Sequence, residues 1–361
     1  MTAGEIGMRR TAVYRDELFL EHRPGFNHVE SPERLRVIYD ELDREGTGKN
    51  LIYPGFAPAS LEVIGLNHSP GLIKRISATA GRTHDFLDAD TQTSDKSFAA
   101  ACLAVGALVD GIRRIADKKA DNAFCLVRPP GHHAERDQAM GFCLFNNIAV
   151  AARWAIETLG MERIFIFDWD LHHGNGTQRS FYDTDKVFYC STHQYPYYPG
   201  TGALVENGEG KGAGFTLNVP LPGGQGDRDF AQICANLVIP VARQYQPEFV
   251  LVSCGFDIYG GDPLGTMRVS PSGFAQMTRI MQNLADEVCD GRLLVTLEGG
   301  YHLTGMRDGA LAVLTELCGE KLHSDHEDFA TGFIPERVIK EEPNPWFLEQ
   351  AITLAKSRWK M

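Results

Sequence analysis

Five short, almost unbroken apolar runs punctuate the chain, at 123–127, 164–167, 187–190, 249–253 and 293–297. They do not alternate polar with apolar, so they fit strands covered on both faces, the pattern of a parallel sheet. Helical periodicity fills the intervals, over 32–44, 97–117, 146–159, 230–245, 271–289 and 306–318. Ser31-Pro32 and Ser270-Pro271 read as helix starts, a capping serine followed by proline in the first turn. Alternating strands and helices predict an α/β chain, a mostly parallel sheet flanked by helices. We divide it into a catalytic domain over 1–318 and a C-terminal extension over 319–361, whose segment 346–359 reads as an amphipathic helix that packs back or touches another subunit. The glycine-rich stretch 199–227 matches no phosphate-binding motif and reads as a long surface loop.

Four of the five runs stop at a polar motif. RPPGHH follows the first (128–133), DWDLHHGNG the second (168–176), GFD the fourth (255–257) and EGGY the fifth (298–301). In an open parallel sheet ligands bind outside the carboxyl ends of the strands, so these motifs are expected to converge. Asp170, His172 and Asp257 then form one imidazole and two carboxylates, a set that holds a divalent metal and leaves room for water. Zn2+ fits, and the oxygen-rich set also suits Fe2+, Mn or Co. Taken alone, an Asp-x-His pair is more often a capped turn; the joint pattern is what points to a metal. His132 and His133 supply candidate acid and base groups. Asp168 and Asn175 are candidate partners that orient those rings. Tyr301, behind two glycines, can project its phenol inward as an oxyanion donor. Phe142, Tyr195, Tyr197 and Tyr198 offer aromatic walls for an extended alkyl chain, or ordinary packing.

Composition narrows the partners. Asp plus Glu outnumber Lys plus Arg by 47 to 35, a net charge of −12, which argues against nucleic acid or an anionic membrane. No run reaches eighteen apolar residues, and the first residues hold no apolar signal core, so a cytoplasmic protein is expected. The 8 cysteines include no close pair and read as plain buried thiols.

RPPGHH, GFCLFNN (141–147), DWDLHHGNGTQ (168–178), GFD and EGGY occur in an order that resembles the zinc-dependent histone deacetylase family, from about Tyr14 to Cys318. Asn175, GDPLG (261–265) and the single domain look like a class II-like bacterial member, related to acetoin-utilisation proteins and acetylpolyamine amidohydrolases. The resemblance implies the arginase–deacetylase fold, an eight-stranded parallel sheet flanked by helices on both faces. It implies zinc on Asp170, His172 and Asp257, and His133 as base and then acid. His132 with Asp168 would assist, and Tyr301 would polarise the acyl carbonyl. Gly141 would meet the substrate amide, with Phe142 and Tyr198 as tunnel walls. Arg34 matches an acetate-channel arginine. Asp168, Asp170, His172, Ser191 and Thr192 match a structural K+ site, largely through backbone carbonyls. The family's rim aspartate has no clear match here; Thr93 lies nearest. Leu264 stands where a polyamine-specific branch carries an acid, which favours N-ε-acetyl-lysine over an acetylpolyamine. A small acylated amine, a two-metal ureohydrolase and a non-catalytic acyl-lysine binder are the competing readings, and a homo-oligomer is left open.

Overall fold

The computed structural model describes residues 8–44, 51–322 and 328–360. Ten strands occur among them: β1 (Thr11–Tyr14), β2 (Leu51–Ile52), β3 (Asp85–Phe86), β4 (Gln92–Thr93), β5 (Asn122–Cys125), β6 (Ile164–Asp168), β7 (Val187–Gln194), β8 (Thr216–Leu221), β9 (Phe249–Cys254) and β10 (Leu293–Leu297). β3 and β4 form a small antiparallel ribbon. The other eight make one sheet in the order β2-β1-β5-β10-β9-β6-β7-β8, and every pairing is parallel. β5, β6, β9 and β10 are buried along their whole length. Their side chains are therefore covered on both faces, and each buried Val, Leu, Ile or Phe contributes about 1.5–3 kcal/mol relative to exposure. The strands that carry the four polar motifs, β5, β10, β9 and β6, are immediate neighbours at the centre of the sheet. Their carboxyl ends therefore open on one place.

The expected α/β architecture holds, with instructive departures. The helix expected over 230–245 is interrupted: Asp227–Ile233 and Ile239–Tyr245 are α-helical and Cys234–Val238 between them is a π turn. Pro240 has no N–H to give, and widening the preceding turn is how a helix accommodates that. The first long helix begins at Glu33, with Pro32 as its cap residue and no side-chain cap from it. Ser270 does cap the helix Pro271–Cys289, accepting the Gly273 amide.

The reading of 199–227 as a surface loop is wrong over its second half, where β8 lies buried against β7. β8 is an edge strand, which explains how Pro220 is tolerated and why the segment lacks a strong strand signal. The helix Trp346–Ala355 packs across it. Phe347, Leu348, Ala351, Ile352 and Ala355 join the main core, and Trp359 Nε1 donates to the Gly214 carbonyl at 3.1 Å. All eight cysteines are buried and free. Among the described residues no helix is long and apolar enough to cross a membrane.

Candidate active site

Strand β5 runs into the turn that carries His132 and His133, and two side chains hold that turn. Glu298, the first residue after β10, accepts the Gly131 and His132 amides on Oε2 at 2.7 and 3.1 Å. Its Oε1 accepts the Ser253 hydroxyl at 2.9 Å. Asn146 caps the helix Asn147–Leu159 and sends its side-chain amide to the His132 and Ala134 carbonyls. Gly131 packs so tightly that a Cβ would lie 2.5 Å from the Asn147 nitrogen.

The loops after β6 and β9 bring Asp170, His172 and Asp257 together. All three are buried, and one ligand atom of each lies within 4.8 Å of the others. His172 Nδ1 stands 3.2 Å from Asp170 Oδ1 and 3.1 Å from Asp257 Oδ2. Backbone amides steady the remaining oxygens: Asp170 Oδ2 accepts Gly299 N–H at 2.8 Å, and Asp257 Oδ1 accepts Leu171 N–H at 2.9 Å. Burial, then the charge of Asp170, pushes the Asp257 carboxyl up to about 7. Burial opposes charge on His172, but its hydrogen bonds to Asp170 and Asp257 lift it to about 9. Among the described residues no Lys or Arg side chain is hydrogen-bonded to Asp170 or Asp257. Two buried carboxylates and an imidazole converging in this way fit a divalent cation.

The two neighbouring imidazoles have been driven apart. His132 Nδ1 lies 3.2 Å from Asp168 Oδ2. Burial opposes its charge, but Asp170 and Asp168 outweigh that and push its pKa up to about 10. His133 Nδ1 lies 2.8 Å from Asn175 Oδ1. The Asn175 amide nitrogen donates to Glu135 Oε1 at 2.8 Å, so Oδ1 is the acceptor and His133 carries its proton on Nδ1. Burial, then the charges of His132 and His172, holds His133 well below the ordinary imidazole value. Its Nε2 is left as a lone pair.

These groups sit at the base of a slot of about 340 Å3, walled by Phe142, Tyr197, Tyr198, Leu264 and Tyr301. Phe142 and Tyr301 meet edge to face at 5.9 Å, and Tyr198 stands edge-on to His133 at 5.1 Å. Gly141 and Phe142 both have positive φ, at 56° and 67°. A Cβ on Gly141 would press within 2.4 Å of the His133 ring, so only glycine fits there. Tyr197 donates its hydroxyl to the Leu264 carbonyl at 2.7 Å. Arg34 lies 5.0 Å over the Tyr301 ring and is wholly buried.

The structure thus brings together Asp168, Asp170, His172, Asp257, His132, His133, Asn175, Tyr301, Gly141, Phe142, Tyr198 and Leu264. Thr192 Oγ1 stands 3.5 Å from the Asp168 carbonyl, and Asp168 pairs with Ser191 in the sheet register. Thr93, the position nearest the family's rim aspartate, is fully buried and lines no part of the slot, whereas Asp90 does. Asp90 sits in Asp-Ala-Asp-Thr, a turn in which Asp88 accepts the Asp90 and Thr91 amides; that turn composition was the available signal. Thr91 Oγ1 in turn accepts Phe142 N–H at 3.2 Å and donates to Asp90 at 3.1 Å, tying rim to wall. Glu298 lies in the EGGY motif, but the motif alone gives it no role; its grip on the Gly131 and His132 amides appears only in the fold. A larger cleft of about 840 Å3 lies by Arg163, Lys186 and Trp359, at the opposite ends of the strands. It is open and gathers none of these groups.

Comparison with known proteins is consistent in direction. The histone deacetylase domain family matches residues 28–317. A probable deacetylase of Archaeoglobus fulgidus is 36% identical over 334 residues, covering 92% of each chain. Histone deacetylase 15 of Arabidopsis thaliana is 40% identical over 319 residues, which are 86% of this chain but 57% of that protein. The crystal structure of the HDA15 HD domain superposes with a TM-score of 0.86 at 35% identity, covering 97% of this chain and 95% of that one.

Proposed function

The chain belongs to the histone deacetylase family, has its arginase–deacetylase fold and is a hydrolytic deacetylase, and we propose that it removes an acyl group, acetyl first, from N-ε-acyl-lysine in a peptide or protein. The observation that carries this reading is the pairing of a buried Asp170–His172–Asp257 set with two adjacent imidazoles, one against the Asp168 carboxylate and one against the Asn175 amide oxygen, at the base of one slot. Asp170, His172 and Asp257 would hold the metal, Zn2+ by preference with Fe2+ also fitting the donor set. When bound, it supplies Lewis-acid polarisation of the acyl carbonyl and of the attacking water.

The remaining roles belong to the chain itself. Phe142 and Tyr198 grip the alkyl stem, and Gly141 offers its backbone to the substrate amide. His133, neutral with Nε2 open, accepts the proton of the attacking water. His132, kept charged beside Asp168, favours the negative charge that gathers on the carbonyl oxygen. Tyr301 is held protonated by burial and donates to that oxygen. The proton taken by His133 then goes to the leaving amine, so base and acid are one ring at two moments. Backbone carbonyls near Asp168, Ser191 and Thr192 would hold a structural K+. We assign catalysis to 1–318, with 319–361 an extension whose helix Trp346–Ala355 covers the sheet edge.

A second reading, a small acylated amine such as an acetylpolyamine, is favoured by the Asp90 carboxylate at the slot wall, which would attract a distal ammonium. The test is amine release from acetyl-lysine peptide, long-acyl-lysine peptide and acetylputrescine, each with metal-loaded and metal-stripped protein. Metal-dependent release from the peptides alone supports the first reading, and release from acetylputrescine alone transfers the assignment to the second. Silence on all three with metal bound sinks both and leaves an acyl-lysine binder.

A further inference from the structure

The turn 298–302 that presents Tyr301 does not hold itself. Gly300 has φ +116°, and a Cβ there would come within 2.5 Å of Met306 Sδ, so the backbone is extended through a glycine-only conformation. Its carbonyls and its amides are gripped from opposite sides. Arg34 donates Nη2 to the Glu298 carbonyl and Nε to the Gly300 carbonyl, both at 2.5 Å. On the other side stands Asp262, a residue to which no role has yet been given. Its Oδ2 accepts the Tyr301 and His302 amides at 2.7 and 3.1 Å. Its Oδ1 accepts the Leu264 amide at 2.9 Å. Asp262 is 5% exposed, and among the described residues no ion pair reaches it. A buried carboxylate whose hydrogen bonds all run to backbone amides acts as a clamp, because each amide must keep its place to satisfy it.

The two loops joined in this way carry different parts of the site. One ends in the Tyr301 phenol, between the Arg34 guanidinium and the Phe142 ring. The other carries Leu264, whose carbonyl is also fastened by the Tyr197 hydroxyl. We propose that Asp262 is a positioning residue that sets where Tyr301 delivers its hydroxyl and, through the same carboxylate, locks the Leu264 edge of the slot to it. The inference deepens the proposed reaction and rests on Tyr301 as the oxyanion donor. Loss of the clamp then acts on turnover through Tyr301, and loosens both loops at once.

Two measurements test it. Peptide-resolved hydrogen exchange on the full chain compares parent and Asp262→Asn. Asparagine keeps the shape but has a single acceptor oxygen for three amides. Faster exchange is expected together in segments around 264 and around 301–302, with the rest of the sheet unchanged. Exchange unchanged in either segment overturns the clamp, whatever the enzyme turns over. The second is a double-mutant cycle on acetyl-lysine peptide with metal content equalised. Tyr301→Phe is expected to lower kcat about 10²–10³-fold, as loss of an oxyanion donor does. Asp262→Asn is expected to lower it about 10–100-fold, the range for partners that orient site groups, with KM little changed. The double variant should match Tyr301→Phe within about twofold, because Asp262 acts through Tyr301. Multiplying losses overturn the proposal. If Asp262→Asn melts below assay temperature, Asp262→Glu carries both measurements, keeping the charge while displacing the three amides. A parent that hydrolyses no acyl amine refutes the proposed function alone, since the exchange result still decides the clamp.

Discussion

Two buried charge clusters lie side by side in this molecule, and they are built on opposite terms. In the first, Glu30 receives Arg128 on both oxygens at 2.5 and 2.6 Å and Arg34 at 2.8 Å, with His22 at 3.3 Å. Burial works to raise its pKa, but Arg128 and His22 outweigh it and hold the carboxylate well below its ordinary range. The chain supplies its own cations there, in the two-pronged geometry that an arginine provides. In the second, Asp170 and Asp257 share the His172 imidazole, His132 Nε2 stands 3.7 Å from Asp170, and among the described residues no guanidinium is hydrogen-bonded to either. Those imidazoles hold Asp170 below its ordinary range against burial, while Asp257 is pushed up to about 7. Burial makes charge costly in both places. The first cluster closes on itself, its carboxylate matched by guanidinium groups of the chain. The second, on the reading proposed above, leaves the balancing charge to a bound ion. Arg34 touches both worlds, since the same guanidinium that neutralises Glu30 also grips the turn of Tyr301.

Removing one member from each cluster is the sharpest way to break this contrast. Asp257→Ala is expected to abolish metal-dependent turnover and to bring metal content by elemental analysis from one ion per chain toward none. A variant that kept both would end the assignment of Asp257. Arg128→Met leaves Glu30 buried beside an incomplete set of partners and should cost about 3–5 kcal/mol in denaturant unfolding. Metal content of the folded fraction should stay at the parent level. A loss below about 1 kcal/mol would show that the first cluster is not closed by Arg128.

Milder changes sharpen the contrast. Asn175→Asp places a carboxylate against His133 and should raise that ring's pKa by about 1–3 units. His133 serves as base only when neutral, and activity is lost as pH falls through its pKa. The acidic limb of kcat/KM therefore moves to higher pH, and a limb that stays in place would remove His133 as base. Smallest is Leu264→Glu, which puts one charge at the slot edge. At roughly 4 Å in water that is worth about 1 kcal/mol, so the preference for a cationic acetylamine over acetyl-lysine peptide should rise about fivefold. No change would mean that the edge does not read charge.

Much of the site was legible because its residues are local in sequence. His132 and His133, Asp168 to Asn175, Asp257 and Tyr301 each lie directly after an apolar strand, and four such strands had to share an end. The unread parts hang on contacts across long separations. Asp90 reaches the slot from a two-strand ribbon too short to have a period. Asp262 means little in a Gly-Asp-Pro-Leu string until the Tyr301 amide is seen against it. β1 and β2, of four and two residues, gave too little pattern to compete with their surroundings.

By itself the sequence determined the α/β class, the central strands, the family and which three residues are proposed to hold a metal, because apolar period and motif spacing are properties of the chain. The tertiary structure decided the order β5-β10-β9-β6 that makes four motifs neighbours, and the burial of β8 under the last helix. It also decided which partners two adjacent histidines face, Asp168 for His132 and Asn175 for His133, and so the opposite directions in which their pKa values are pushed. That last difference arises because an imidazole's charge depends on which carboxylate or amide faces it in a medium that screens poorly, and no spacing along the chain encodes that.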